Sequence, residues 1–115
     1  MMLGEKQRLF VRLVGKLIAF AYEQGYEITF GDAYRSPDQA KANAAAGAGI
    51  ANSLHTQRLA IDLNLFKDGL YLTDSAQHAP LGAYWKSLHP LCCWGGDFKP
   101  RADGNHYSIT HDGRK

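Results

Sequence analysis

The chain has no run of about 18 apolar residues, the length a membrane-spanning helix requires, so stable membrane insertion is not expected. It has two cysteines, Cys92 and Cys93, and they are adjacent. Neighbouring cysteines fit poorly the separation a disulfide needs. Without a Cys-x-x-Cys pattern a cysteine zinc knuckle is also unexpected. The pair reads instead as small buried hydrophobes in a reducing compartment. Charge of either sign is scarce in excess: 13 Lys and Arg against 11 Asp and Glu leave a formal +2. No block of like charge occurs, so nothing argues for a nucleic-acid partner. That balance is compatible with an anionic polymer. There is no internal repeat, no linker, and no low-complexity segment beyond an alanine- and glycine-rich stretch. A secretory leader is not expected at the N-terminus. Charged residues run through its apolar stretch as far as Lys16, Glu5 and Glu23 interrupt it, and no small-residue cleavage site follows. The expectation is a protein made in the cytoplasm.

At 115 residues, with 45% hydrophobic, one domain spanning 1–115 is expected, with a core that needs no staples. Residues 5–25 place Phe10, Leu13, Val14, Leu17, Ile18 and Ala21 at steps of three and four, which predicts an amphipathic helix stopped at Gly25. Residues 26–31 alternate as a strand does. Ser36 followed by Pro37 and Asp38 is a helix start, and that helix runs into the small-residue loop AGAGIANS. In the stretch NSLHTQRLAIDLNLF, residues 59–66 alternate Ala60, Asp62 and Asn64 against Ile61, Leu63 and Leu65, a strand with one apolar and one small, polar face. Lys67-Asp68-Gly69 predicts a hairpin turn, with 70–72 returning. A third helix is expected from Pro80 to about Leu88, limited by Pro90. A glycine pair follows CCW, and RADGN is a turn into a last strand. Helices set apart from a small, mostly antiparallel sheet define an α+β domain.

Of five histidines, two stand near an aspartate at a meaningful offset: His55 with Asp62, and His106 with Asp103. Two imidazoles and a carboxylate, with water in the fourth place, are a frequent catalytic zinc set. Such a set calls for a further carboxylate, not a ligand, to carry the proton. HxxxxxxD and DxxH are weak patterns by themselves. Spacing alone leaves both a metal site and ordinary surface or core histidines open.

The segment SLHTQRLAIDL resembles the Ser-x-His-x-x-x-x-Ala-x-Asp signature of the zinc peptidoglycan peptidases. That family includes D-Ala-D-Ala carboxypeptidases and dipeptidases, and L-alanyl-D-glutamate endopeptidases found as phage endolysins. WGGDFKPRADGNHYS is similar to its second block, Trp-Gly-Gly followed by an acidic residue, two positions and a histidine. YRS with DQA is similar to an earlier arginine block. The resemblance implies a hedgehog/DD-peptidase-like α+β fold, with helices packed on a small antiparallel sheet. It implies Zn2+ held by His55, Asp62 and His106, with Asp103 as general base and acid. It also implies Arg35 on the substrate carbonyl or carboxylate, Ser53 hydrogen-bonding the substrate, and Trp94 walling the cleft. The partner it implies is bacterial peptidoglycan, met by a monomer. The compact length resembles the phage endolysins, which wait in the host cytoplasm until another protein permeabilises the membrane. Aspartate at 103, where carboxypeptidase-type and dipeptidase-type members have glutamate, implies cleavage of the L-Ala–D-Glu bond of the stem peptide. A D,D-carboxypeptidase, a non-catalytic wall-binding module of the same fold and a structural zinc domain are the alternatives. Asp97 is a further candidate, as a carboxylate steadying a ligand imidazole.

Two positions depart from the family pattern. Arg58 stands where the first block has glycine, a residue that often marks positive φ or close backbone approach. Either the loop differs there or Arg58 reaches into the cleft. Asn105 replaces the proline before the last histidine, and Gly104-Asn105 is itself turn-forming.

Overall fold

Helix α1, Leu3–Glu23, buries Phe10, Leu13, Val14, Leu17 and Ala21, the stripe that the three-and-four spacing predicts. It ends at Gly25, whose φ of 86° suits a residue without Cβ. The structure is a computed structural model that describes residues 1–47 and 53–115. Strand β1, Glu27–Phe30, leads to α2, Pro37–Ala45. Ser36 caps α2 as expected, its hydroxyl accepting from the Gln39 N–H at 3.0 Å. Most of the AGAGIANS loop, positions 48–52, lies outside the described residues. A 3₁₀ turn at Leu54–Gln57 then delivers the chain into β2, Ala60–Lys67.

Strand β2 is the spine of the sheet. The order is β1-β2-β5-β4, with β3, Leu70–Leu72, also on β2, β4 at Cys92–Trp94 and β5 at His106–Ile109. All pairings are antiparallel. The β2–β3 hairpin turns through Asp68 and Gly69, both at positive φ (52° and 78°), which matches the right-handed strand twist. Helix α3, Ala79–Leu88, follows a 3₁₀ turn at Ser75–His78 and starts one residue before Pro80.

One face of β2, with Ile61, Leu63 and Leu65, joins Tyr107 and Ile109 of β5 and the apolar sides of α1 and α3 in a single core. Trp85 sits at its centre, fully buried, edge-on to both Phe10 and Tyr107. Its Nε1 donates to the carbonyls of Cys93 and Ser108, both at 3.0 Å, so the indole ties α3 to the β4–β5 pair. Burying each such large side chain contributes about 1.5–3 kcal/mol. Cys92 and Cys93 are both free thiols, and burial together with the neighbouring Cys93 pushes Cys92 up to about 12.

His78, before α3, is buried with Nδ1 2.8 Å from Tyr107 Oη. Burial pushes its imidazole down from 6.5 to about 4. Between those values the unfolded chain takes up a proton that the folded chain refuses, so folding stability falls as pH drops through that window. Urea midpoints measured from pH 7 to pH 4 should therefore fall, and fall less steeply in His78→Gln than in the parent.

Candidate metal centre

The register of β2 against β5 sets Asp62 directly opposite His106. Both project from the sheet face away from the core, where antiparallel partners share a side. A second chain segment pins the same residue from the other edge. Gly31 N–H donates to Asp62 O, and Asp62 N–H to Asp32 O, both at 2.8 Å. Gly31 packs so closely that a Cβ there would press on Asp62 Cβ and O, each 3.0 Å away. That segment continues to Ala33, whose carbonyl lies 3.4 Å from His55 Nδ1, and to Arg35, whose N–H donates to His55 O. With Nδ1–H donating to Ala33 O, the lone pair of His55 Nε2 is left facing Asp62.

Ser53 caps the 3₁₀ turn that carries His55, its hydroxyl accepting from the His55 N–H at 3.2 Å. The turn closes at Arg58 with φ 57° and ψ 36°, the left-handed conformation. Glycine is the residue that most readily takes this conformation, and here an arginine adopts it. Its guanidinium lies over the Tyr34 ring, 4.1 Å from the centroid, which offsets part of the strain. Arg58 is not among the cleft residues.

His55 Nε2 stands 3.3 Å and His106 Nδ1 3.6 Å from Asp62 Oδ1, and the three atoms lie within 4.8 Å of one another. Tetrahedral ligation at about 2.0–2.1 Å places neighbouring ligand atoms about 3.3–3.4 Å apart. Neither imidazole donates a well-formed hydrogen bond to Oδ1, which is buried without a partner, as is His106 Nε2. A buried carboxylate oxygen facing two imidazole nitrogens without hydrogen-bond geometry to either fits a cation between them. Burial opposes ionisation of Asp62, but His106 and His55 together outweigh it and take the carboxyl down to about 2.

These side chains floor a cleft of about 560 Å³, which Arg35, Ser53, Phe98, Arg101, Asp103, Asn105 and Lys115 help to line. Arg35 is held there by Asp32, Nη2 to Oδ2 at 2.9 Å, with its Nε buried and unpartnered. Asp103 feels the opposite balance to Asp62. Burial raises its carboxyl above the ordinary range, with Asp62 adding to the effect while His106, His55 and Arg35 oppose it.

The Trp-Gly-Gly block positions this carboxylate through the backbone. Asp103 N–H donates to Gly95 O at 2.8 Å, and Gly104 N–H to Ser75 Oγ at 2.9 Å. A Cβ on Gly95 would overlap Asp103 O, and one on Gly96 the Trp94 ring. Trp94 corrects an expectation, since it does not wall the cleft. It pairs with Tyr107, one residue past His106, and strand alternation turns it to the opposite face. There its ring fits against Gly82 of α3, and its Nε1 donates to Gly104 O at 2.7 Å. Asp97 likewise lies away from the imidazoles, exposed and paired with Lys86 at 2.7 Å. Phe98, whose ring is 5.3 Å from that of His106, and the cations Arg101 and Lys115 carried no sequence signal as cleft residues.

The chain belongs to the D-alanyl-D-alanine carboxypeptidase family, whose model matches residues 46–109 and so includes His55, Asp62, Asp103 and His106. It is by family a peptidoglycan peptidase. Among solved structures it is similar to the Serratia marcescens L-Ala D-Glu endopeptidase ChiX, with a TM-score of 0.75 and 19% identity, over 93% of this chain and 85% of that one. That likeness establishes the α+β fold. No curated protein matches the chain.

Gly95→Ala should leave the core intact but displace the Asp103–His106 segment. We expect a loss of about 1–3 kcal/mol by chemical denaturation, as for overpacking elsewhere. Metal affinity by titration should fall by about tenfold or more, as when the support of a ligand is lost.

Proposed function

We propose that the protein is a zinc-dependent peptidoglycan endopeptidase that hydrolyses the L-Ala–D-Glu bond of the stem peptide. The observation that carries this reading is the convergence of His55 Nε2, Asp62 Oδ1 and His106 Nδ1 in a cleft that also presents Asp103. A zinc ion on the three ligands would supply Lewis acidity and lower the pKa of water at neutral pH. The chain's own groups account for the rest. Asp103, its carboxyl raised above the ordinary range by burial, accepts the proton of the attacking water on its carboxylate and returns it to the departing amine. Arg35, restrained by Asp32, donates to the substrate oxygen on which negative charge develops. Ser53 acts first on the protein, fixing the turn that aims His55, and its hydroxyl hydrogen remains available to the substrate. Arg101 and Lys115 on the cleft wall suit a stem peptide bearing carboxylates.

Aspartate at 103, and the fold shared with an L-Ala D-Glu endopeptidase, favour this bond. The description of the matched family favours the second reading, a D,D-carboxypeptidase. As part of the first reading, the protein serves as a phage endolysin. It would be held in the host cytoplasm until another protein opens the membrane. Expression inside bacteria should then cause lysis only when a membrane-permeabilising protein is co-expressed.

Mass analysis of digested muropeptides decides between the bonds: release of the stem after L-Ala supports the endopeptidase, and release of terminal D-Ala the carboxypeptidase. Asp103→Asn should lower the hydrolysis rate by about 10²–10⁴-fold while bound zinc stays stoichiometric. In His55→Ala, both zinc and activity should be lost. Parent-rate wall clearing by Asp103→Asn would refute the assignment of the base.

A further inference from the structure

On the other side of the 102–105 segment lies a second cavity of about 260 Å³. It shares Ala102, Asp103 and Asn105 with the cleft, so the segment that carries the proposed base lines both. Their chemistry differs. The cleft carries Arg35, Arg101 and Lys115, whereas among the described residues no lysine or arginine lines the second cavity. Beside the shared Asp103 carboxylate, its polar wall is hydroxyl, amide, phenol and imidazole: Thr73, Ser75, Asn105, Tyr71 and His78.

Two of these groups stand ready for a ligand. Tyr71 is 54% exposed yet held in place, its ring 5.2 Å from that of Phe66 and its hydroxyl 3.5 Å from Asn64 Oδ1. Its exposed ring offers an apolar face next to the hydrogen-bonding groups of a cavity that Tyr71 helps to line. His78 is 3% exposed, and among the described residues its ring has one hydrogen-bond partner, Tyr107 Oη at Nδ1. Nε2 therefore has no protein partner among the described residues. Burial keeps the ring neutral near pH 7, so the cavity presents polarity without cationic charge.

We infer that this cavity is a saccharide subsite, binding a neutral, hydroxyl-rich ring against Tyr71 with hydrogen bonds from Thr73, Asn105 and His78. Resting on the endopeptidase reading, it orients the substrate. The acidic peptide lies on the Arg101 side of Asp103 and the muramoyl sugar that bears L-Ala lies on the Tyr71 side. A D,D-carboxypeptidase, cutting at the far end of the stem, would have no use for a sugar pocket so close to its base.

The test uses ligands without a scissile bond. Calorimetric titration of the zinc-loaded protein compares N-acetylmuramoyl-L-alanine with N-acetyl-L-alanine. The sugar-bearing ligand should bind about tenfold tighter or better. Tyr71→Ala, at an exposed position that should not disturb folding, should abolish that preference and leave N-acetyl-L-alanine binding unchanged. Arg101→Ala should keep the preference. Equal affinities in the parent, no detectable binding of the muramoyl ligand at millimolar concentration, or an undiminished preference in Tyr71→Ala would each overturn the subsite. Cleavage of a sugar-free L-Ala–D-Glu stem peptide by the parent is scored separately. Its failure would strike the proposed function, whereas the titration alone decides the saccharide site.

Discussion

The pairing of β2 with β5 is the constraint on which the rest depends. It sets Asp62 opposite His106, and a slip of one residue would turn one of them into the core. The register is fixed from both edges of β2. Leu63 N–H donates to Asn105 O on one side, and the Gly31–Asp32 segment exchanges two hydrogen bonds with Asp62 on the other. The segment that fixes Asp62 then runs on to meet the ring of His55 at Ala33 and its backbone at Arg35. Three candidate ligands from distant parts of the chain are thus referred to one backbone frame. A cation would find them assembled, with little reorganisation to oppose its binding.

Two carboxylates share this cleft and are driven apart in acidity. Asp62 lies between two imidazoles and is held ionised, down to about 2. Asp103 lies where burial dominates, and its carboxyl is raised. Opposed environments of this kind separate a permanent anion from a group able to take and release a proton. The division suits a metal ligand beside a general base. It arises from placement, because the residue type is the same at both positions.

Much of this was legible in the sequence wherever a pattern is local. The stripe of α1, the Ser36–Pro37 cap, the Asp68–Gly69 turn and the alternation of β2 each express periodicity or turn chemistry within a few residues. The resemblance supplied the grouping of His55, Asp62 and His106, which the fold brings together. What escaped depends on pairing between distant segments. Which face Trp94 occupies is decided by its register with Tyr107, and nothing within CCWGGDF encodes that. Phe98 and Arg101 enter the cleft from an irregular loop without a period. Arg58 misled in a more instructive way. Glycine commonly marks a left-handed backbone, and in this chain an arginine stacked on Tyr34 adopts that conformation.

The Trp94 indole joins parts of the molecule that a list of site residues would keep apart. It occupies the notches left by Gly82 in α3 and Gly96 after β4, and it holds the carbonyl of Gly104 beside Asp103. Positions 82, 94 and 96 are therefore coupled sterically. Neither glycine has room to enlarge while the indole remains. A lineage that exchanged the tryptophan for a smaller side chain would release both glycines to vary together and would need another donor for Gly104. Substitution at 82, within a helix that faces no substrate, is thus restrained by the chemistry on the far side of the sheet.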